Sequence, residues 1–265
     1  MSDYRYIARC SYGNDSIAML QMLHEYGLKD VAVVYSDTGW ASDAWKVRVE
    51  QGKEWVRSLG WEAVRLTSIG FEASVRNHTA AGMFPTRLVK FCTQELKVRP
   101  FLKWVTEADP DHRALVCVGV RRAESAARSS HPAFMPERDN GRHVWHPMID
   151  FSDADRDGMI EKTPFPILPH RSDECAICIN SNRADLRRAS PEAIAAVAAL
   201  EADVGRPMFN PAKYAGAEGI GEVKRWADSE RGKYRPLTGV VPAYPLLDAM
   251  LDAEPATCED NWCGL

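Results

Sequence analysis

The chain has 265 residues, of which 45% are apolar and 26% charged, with a formal net charge of −4. That length holds one large α/β domain or a domain with an appendage, and the charge does not advertise a polyanion partner, although a local basic face would vanish in the sum. No apolar run approaches the ~20 residues that span a bilayer, and Met1-Ser2-Asp3-Tyr4-Arg5 lacks the apolar core of a secretory signal, so no membrane and a cytoplasmic location are expected.

The first extended run, Tyr4 to Cys10, leads into Ser11-Tyr12-Gly13-Asn14-Asp15-Ser16 and an apolar helical pattern at Ile17, Leu20, Met22 and Leu23. Strand, hydroxyl- and glycine-bearing turn, then helix is an arrangement that binds phosphate. The turn offers N–H groups and hydroxyls, and the positive end of the helix dipole faces the anion. No Gly-Lys-Ser/Thr follows, so this is not a Walker loop. The blander reading is a helix cap in which Asp15 or Ser16 satisfies first-turn amides.

Val31 to Tyr35 is a continuous apolar run typical of a strand buried on both faces. It ends in Ser36-Asp37-Thr38-Gly39-Trp40, and ligands of open parallel sheets gather at such strand ends. Asp37 reads equally well as a turn aspartate. A helix over 44–59, with Trp45, Val49 and Trp55 for its inner face, and a strand over 62–66 follow. The alternation argues for a doubly wound, mainly parallel α/β sheet. Residues 70–90, with Gly70, Gly82, Pro85, Arg76, His78, Arg87 and Lys90, read as a loop able to fold over a ligand.

Cys92 precedes a basic helix. The next buried strand, over 114–120, runs into Arg121-Arg122-Ala123-Glu124-Ser125-Ala126-Ala127-Arg128. Guanidinium forks there suit phosphate or sulfate, or else line a solvated helix face. A final short strand is expected over 144–150, then a helix over 154–160 with Ser152 and Asp153 as caps. A proline-rich link over 163–169 delivers the chain to Glu174-Cys175-Ala176-Ile177-Cys178. An alanine-rich helix over 190–204 is capped by Ser190-Pro191-Glu192, and the remainder reads as a helical C-terminal region.

The seven cysteines stand at positions 10, 92, 117, 175, 178, 258 and 263. In a reducing compartment such a set points to metal or redox chemistry rather than structural disulfides. Cys10 and Cys117, inside apolar runs, read as small buried hydrophobes. Cys175-x-x-Cys178 lets two thiolates converge on one metal centre or act as a redox dithiol; the second Cys-x-x-Cys of a usual zinc site is absent.

In order, the Ser11–Ser16 loop, Asp37-Thr38-Gly39, Cys92 with Lys97-Val98-x-Pro100, Gly119-x-Arg121-Arg122-x-x-Ser125-x-x-Arg128, His146-Pro147 and Cys175-x-x-Cys178 resemble the phosphoadenosine-phosphosulfate (PAPS) reductase family. That family lies within the PP-loop superfamily, and the resemblance spans about residues 5–185. It implies a Rossmann-like PP-loop nucleotide-binding domain over 1–170, followed over 171–265 by the Cys-x-x-Cys segment and the helical region. The loop is similar to Ser-Gly-Gly-x-Asp-Ser, with Tyr12 at the first glycine, so it is not expected to be backbone-permissive there. Ser11, Gly13, Asp15 and Ser16 would hold phosphate or pyrophosphate. Asp37, Thr38 and Gly39 would border the nucleotide, and Arg121, Arg122, Ser125 and Arg128 would face its sulfate or phosphate end. Asp15 and Lys97 are the implied catalytic groups.

Adenylylsulfate (APS) reductases of this family carry an iron–sulfur cluster on a tandem Cys-Cys and a later Cys-x-x-Cys. The tandem pair is Cys92-Thr93 here, leaving Cys92, Cys175 and Cys178, with Cys258 or Cys263 as an optional fourth ligand. A [4Fe–4S] cluster on three thiolates keeps one iron open to another sulfur. Related PP-loop enzymes that thiolate tRNA use such clusters, and enzymes that place sulfur in the DNA backbone belong to the same family. The resemblance therefore implies an enzyme that spends ATP, with Mg2+, to transfer sulfur from a donor to a nucleic-acid or small-molecule acceptor. The alternative is an APS or PAPS reductase, forming sulfite through Cys263 with Cys258 as resolving thiol and a thioredoxin-like reductant. Cys263-Gly264-Leu265 is similar in part to the Glu-Cys-Gly-Leu-His tail of those reductases, with Trp262 at the glutamate and no histidine. A third reading is a non-catalytic nucleotide or Fe–S regulatory module. Arg87, Lys90, Lys97, Arg99, Arg183, Arg187 and Arg188 line a polyanion path or plain surface, and self-association is left open.

Overall fold

The computed structural model describes residues 4–209 and 219–232. The chain divides into two compact units, one of residues 1–68 and 95–174, the other of 69–94 and 175–265.

The first unit is built on six strands: β1 (Tyr6–Arg9), β2 (Val31–Ser36), β3 (Glu62–Leu66), β4 (Leu115–Val118), β5 (Phe134–Arg138) and β6 (Arg142–Trp145). Their order is β3-β2-β1-β4-β6-β5, parallel throughout except for the antiparallel β5–β6 pair. Tyr6 of β1 sits opposite Val31 on one side and Leu115 on the other, so the chain winds outward both ways from β1. The doubly wound α/β sheet is therefore observed. In such sheets the crevice beyond the carboxyl ends, where the winding reverses, is the place for a ligand.

Period-two alternation sorts side chains onto two cores. Ala8, Val31, Val33, Tyr35 and Cys117 pack against Ile17, Met19, Leu20 and Leu23 of helix α1 (Asn14–Glu25), and against Trp45, Val49 and Val56 of α2 (Asp43–Ser58). On the opposite face Ile7, Ala32, Val34, Val116, Val118 and Val144 meet Phe101 and Val105 of α5 (Arg99–Ala108). Burial of strands from both sides explains why 31–35 reads as an unbroken apolar run.

Two expectations are corrected. The last strand of the sheet is not 144–150: β6 ends at Trp145, and an additional strand, β5, pairs with it through a turn at Asp139-Asn140-Gly141. All three turn residues have positive φ, 41°, 60° and 84°, and Asn-Gly is a strong signal for a hairpin. The β5–β6 register shifts between Met135 and Arg138, around Pro136 and Glu137. Residues 70–90 are also not all loop. They contain α3 (Phe71–Asn77), started at Gly70 with φ 82°, whose Phe71, Ser74 and Val75 are buried.

The second unit holds α3, the short α4 (Phe91–Thr93), α7 (Arg183–Arg188), α8 (Pro191–Val204) and α9 (Ile220–Asp228). Arg76 ties α3 to α8 through Asp203 at 2.9 Å, and His78 stacks on Phe91 with centroids 3.5 Å apart. Ser190 caps α8 by accepting from the Ala193 amide at 3.2 Å, as its sequence predicts. Arg183 donates to the Trp226 and Ala227 carbonyls at 3.1 Å each, fastening α7 to the end of α9. In the first unit α6 (Asp153–Ile160) has a reciprocal capping box between Ser152 and Asp155. No helix among the described residues is long and apolar enough to cross a membrane.

Candidate functional site

The turn after β1 closes on itself through its hydroxyls. Ser16 Oγ accepts from the Ser11 amide at 3.0 Å and lies 3.0 Å from Ser11 Oγ, which accepts from the Gly13 amide at 3.3 Å. Gly13 is the N-cap of α1, and no side chain caps this helix, so the alternative in which Asp15 or Ser16 satisfies its first amides does not hold. The first-turn N–H groups and the positive end of the dipole face the turn.

Tyr12 departs from expectation. Its φ is +59°, the left-handed geometry a glycine would supply, even though the side chain is fully buried. Three contacts hold it. The ring packs on Gly52 of α2, where an added Cβ would lie 2.3 Å from Cδ1; its carbonyl accepts from Arg48 Nε at 2.8 Å; its amide donates to Cys10 Sγ at 3.3 Å. Tertiary packing thus overrides the cost, about 1–3 kcal/mol, of a left-handed non-glycine residue.

The sheet gathers further groups at the same end. Asp15 is paired with Arg121, just past β4, and Arg121 also donates to Asp153 at 3.0 Å and to the Phe151 carbonyl at 3.3 Å. Gly119 permits this approach, since a Cβ there would sit 3.1 Å from the Asp15 carbonyl oxygen. Arg122 pairs with Asp150 and donates to the His131 carbonyl at 3.0 Å; Arg128 pairs with Glu124. Ser125 lies exposed between the two short turns that carry these arginines. His131 stacks on His146 at 4.7 Å, and both imidazoles are held below the ordinary histidine pKa, chiefly by burial.

At the end of β2, Asp37 pairs with Arg65 and accepts from the Gly39 amide at 2.9 Å, while Gly39 adopts φ 67°. Thr38, buried, donates to the Glu174 carbonyl at 2.6 Å. Lys97 sits in a π turn, Gln94–Val98, and its ammonium donates to the Glu174 carboxylate at 2.7 Å. Glu174 thereby joins two candidate residues that the sequence connects in no visible way. Arg65 and Asp150 are likewise partners without a sequence signal beyond an ordinary charge, while Asp153, expected as a cap, is the first residue of α6 behind the Ser152 cap.

Cys92, Cys175 and Cys178 all belong to the second unit, each half-buried. The Asn180 amide donates to Cys178 Sγ at 3.5 Å, the kind of hydrogen bond that tunes sulfur ligands. Cys10 and Cys117 differ: burial pushes both thiols up to about 12, in keeping with buried hydrophobes. Thiolates are the usual ligands of iron–sulfur centres, and three half-buried ones belong to this unit. Among the described residues, however, no three His, Cys, Asp or Glu side chains converge as ligands of a single metal ion. Cys258 and Cys263 lie outside the described residues.

Of the scattered cations, Arg183 and Arg187 direct their guanidinium groups to carbonyls of 226–231, and Arg188 pairs with Asp185.

Among curated proteins no match is found. Among solved structures, a PAPS reductase from Candida auris in a phosphate complex aligns with 14% identity and a TM-score of 0.44, covering 62% of this chain and 74% of that one. The U34-tRNA thiolase NcsA from Methanococcus maripaludis, solved with its [4Fe-4S] cluster, aligns with 11% identity and a TM-score of 0.42, covering 91% and 80%. The phosphoadenosine phosphosulfate reductase domain matches residues 5–173. Running from the opening strand through the Ser11–Ser16 turn and the arginine segment, over more than half of its length, that match makes this chain a member of the PAPS reductase domain family.

Proposed function

We propose that this protein binds ATP at the Ser11–Ser16 loop and uses it to activate an acceptor for sulfur transfer. The observation that carries the reading is the placement of Cys92 in the same compact unit as Cys175 and Cys178, although the chain separates them widely. Ser11, Gly13 and Ser16 would orient the phosphates through amides and hydroxyls, and Asp15 would keep Arg121 aimed at the developing charge. Lys97, held by Glu174, would neutralise the leaving pyrophosphate. In the reaction an acceptor oxygen attacks the α-phosphorus of ATP and the bond from that phosphorus to pyrophosphate breaks; a hydrosulfide sulfur then displaces the adenylylated oxygen, which leaves as AMP, and the hydrosulfide proton passes to solvent. Cys92, Cys175 and Cys178 would hold a [4Fe–4S] cluster, which when bound supplies an open iron for a sulfur ligand.

A second reading, reduction of APS or PAPS to sulfite, draws support from the family match and from the group Arg121, Arg122 and Arg128. Anaerobic incubation with ATP, APS and PAPS in parallel separates the two. Pyrophosphate and AMP release with ATP supports sulfur transfer. Sulfite from APS or PAPS, lost in Cys263→Ser, supports the reductase and overturns it. Anaerobically purified protein should also absorb near ~400 nm and lose colour in Cys175→Ser, as thiolate-ligated iron–sulfur centres do.

A further inference from the structure

We infer that Tyr12 and Gly52 form a lock that sets the backbone of the anion loop before nucleotide arrives, making Tyr12 a positioning residue. The inference rests on the nucleotide reading of the Ser11–Ser16 loop and adds what holds that loop in shape.

Tyr12 occupies the left-handed region with φ +59°, which a side chain disfavours and which a glycine adopts freely. A flexible loop would relax out of such a conformation, so the geometry must be imposed from outside. The ring supplies the means: it is fully buried, its centroid is 5.8 Å from that of Tyr35, and its Cδ1–Cε1 side packs on α2 at the one residue there without a side chain. Any Cβ at position 52 would approach Cδ1 and Cε1 to 2.3 and 2.4 Å. Arg48, also on α2 and 5.0 Å from the Phe165 ring, grips the Tyr12 carbonyl at 2.8 Å. Side chain and carbonyl are thus fixed to one helix four residues apart, Arg48 and Gly52, which share a face.

The tyrosine hydroxyl contributes nothing comparable. It is buried and has no hydrogen-bond partner among the described residues. The aromatic body is therefore what the site uses. A loop with Gly at position 12 reaches the same φ but samples many others, and ordering it on binding costs affinity; a loop fixed in advance avoids that cost.

The test uses the full chain and two readouts, amide hydrogen exchange across residues 11–16 and ATP binding by calorimetry. Tyr12→Gly should speed exchange in the loop at least tenfold and weaken ATP binding by roughly tenfold, with the exchange of β1 and α1 changed far less. Gly52→Ala should do the same from the helix side, by displacing the ring. Tyr12→Gly combined with Gly52→Ala should be no worse than Tyr12→Gly alone, because the clash is gone. Tyr12→Phe, which keeps the ring, should restore loop protection. If loop exchange is unchanged in both Tyr12→Gly and Gly52→Ala, the lock is refuted, whatever the ligand does. If the wild-type chain binds no ATP while the exchange pattern follows expectation, the lock stands and the nucleotide reading fails. Should Tyr12→Gly not fold, Gly52→Ala and Tyr12→Phe still decide the matter.

Discussion

Two buried arginines pair with acids in the sheet unit, and replacing each with methionine should give very different losses. Arg142 and Asp109 are both fully buried, 0% and 0% exposed at the side chain, with Arg142 Nε 2.7 Å from the carboxylate. Arg142 also donates to the Val105 carbonyl at 3.0 Å and to the Asp139 carbonyl at 3.1 Å. Arg142→Met would leave an uncompensated buried charge, a loss of about 3–5 kcal/mol. Arg121 is as deeply placed, 3% exposed, but its acidic partners Asp15 and Asp153 are 29% and 74% exposed and can turn to water. The half-buried Phe151 carbonyl also loses a donor, so Arg121→Met should cost about 1–2 kcal/mol. Urea unfolding followed by circular dichroism, with the slope checked for constancy, measures both. Adding Asp109→Asn to Arg142→Met should recover part of the loss, because the orphaned charge disappears. Equal losses for the two single variants would refute the claim that partner exposure sets the magnitude.

In cluster-free protein, thiol alkylation at pH 8 followed by mass spectrometry should label Cys92, Cys175 and Cys178 well before Cys10 and Cys117, whose thiols are pushed to about 12 by burial; early labelling of Cys10 would contradict this. His131 and His146 are both depressed below 6.5, so the unfolded chain takes up protons first and stability should fall as pH drops below about 6.5. His146→Gln should flatten that slope, and an unchanged slope would show that other groups govern it. Lys97→Met strands the largely buried Glu174 carboxylate and should cost about 2–3 kcal/mol, with Lys97→Met plus Glu174→Gln costing less; an additive pair would show that the two do not interact.

The parallel sheet was legible because its central strands are apolar on both faces, as in Val31-Ala32-Val33-Val34-Tyr35. Caps at Ser152 and Ser190 were equally plain, since a hydroxyl before a helical run has few other uses. Strand β5 escaped notice because Phe134-Met135-Pro136-Glu137-Arg138 contains a proline and too little alternation to register. The left-handed Tyr12 was hidden for a different reason. Its conformation is bought by Gly52 and Arg48, residues whose distance along the chain gives no hint that they meet the loop. The same holds for Glu174, which draws Lys97 and Thr38 together only once the chain has folded.

The irregular fifth strand has a consequence for how this sheet ends. Pro136 offers no amide, and the register breaks between Met135 and Arg138, where Glu137 turns to φ 52°. A border of this kind presents no continuous ladder of donors and acceptors to a visiting chain. Among the described residues, this flank is therefore a poor template for strand addition by a neighbouring molecule, so side-chain contacts are the better route to assembly there.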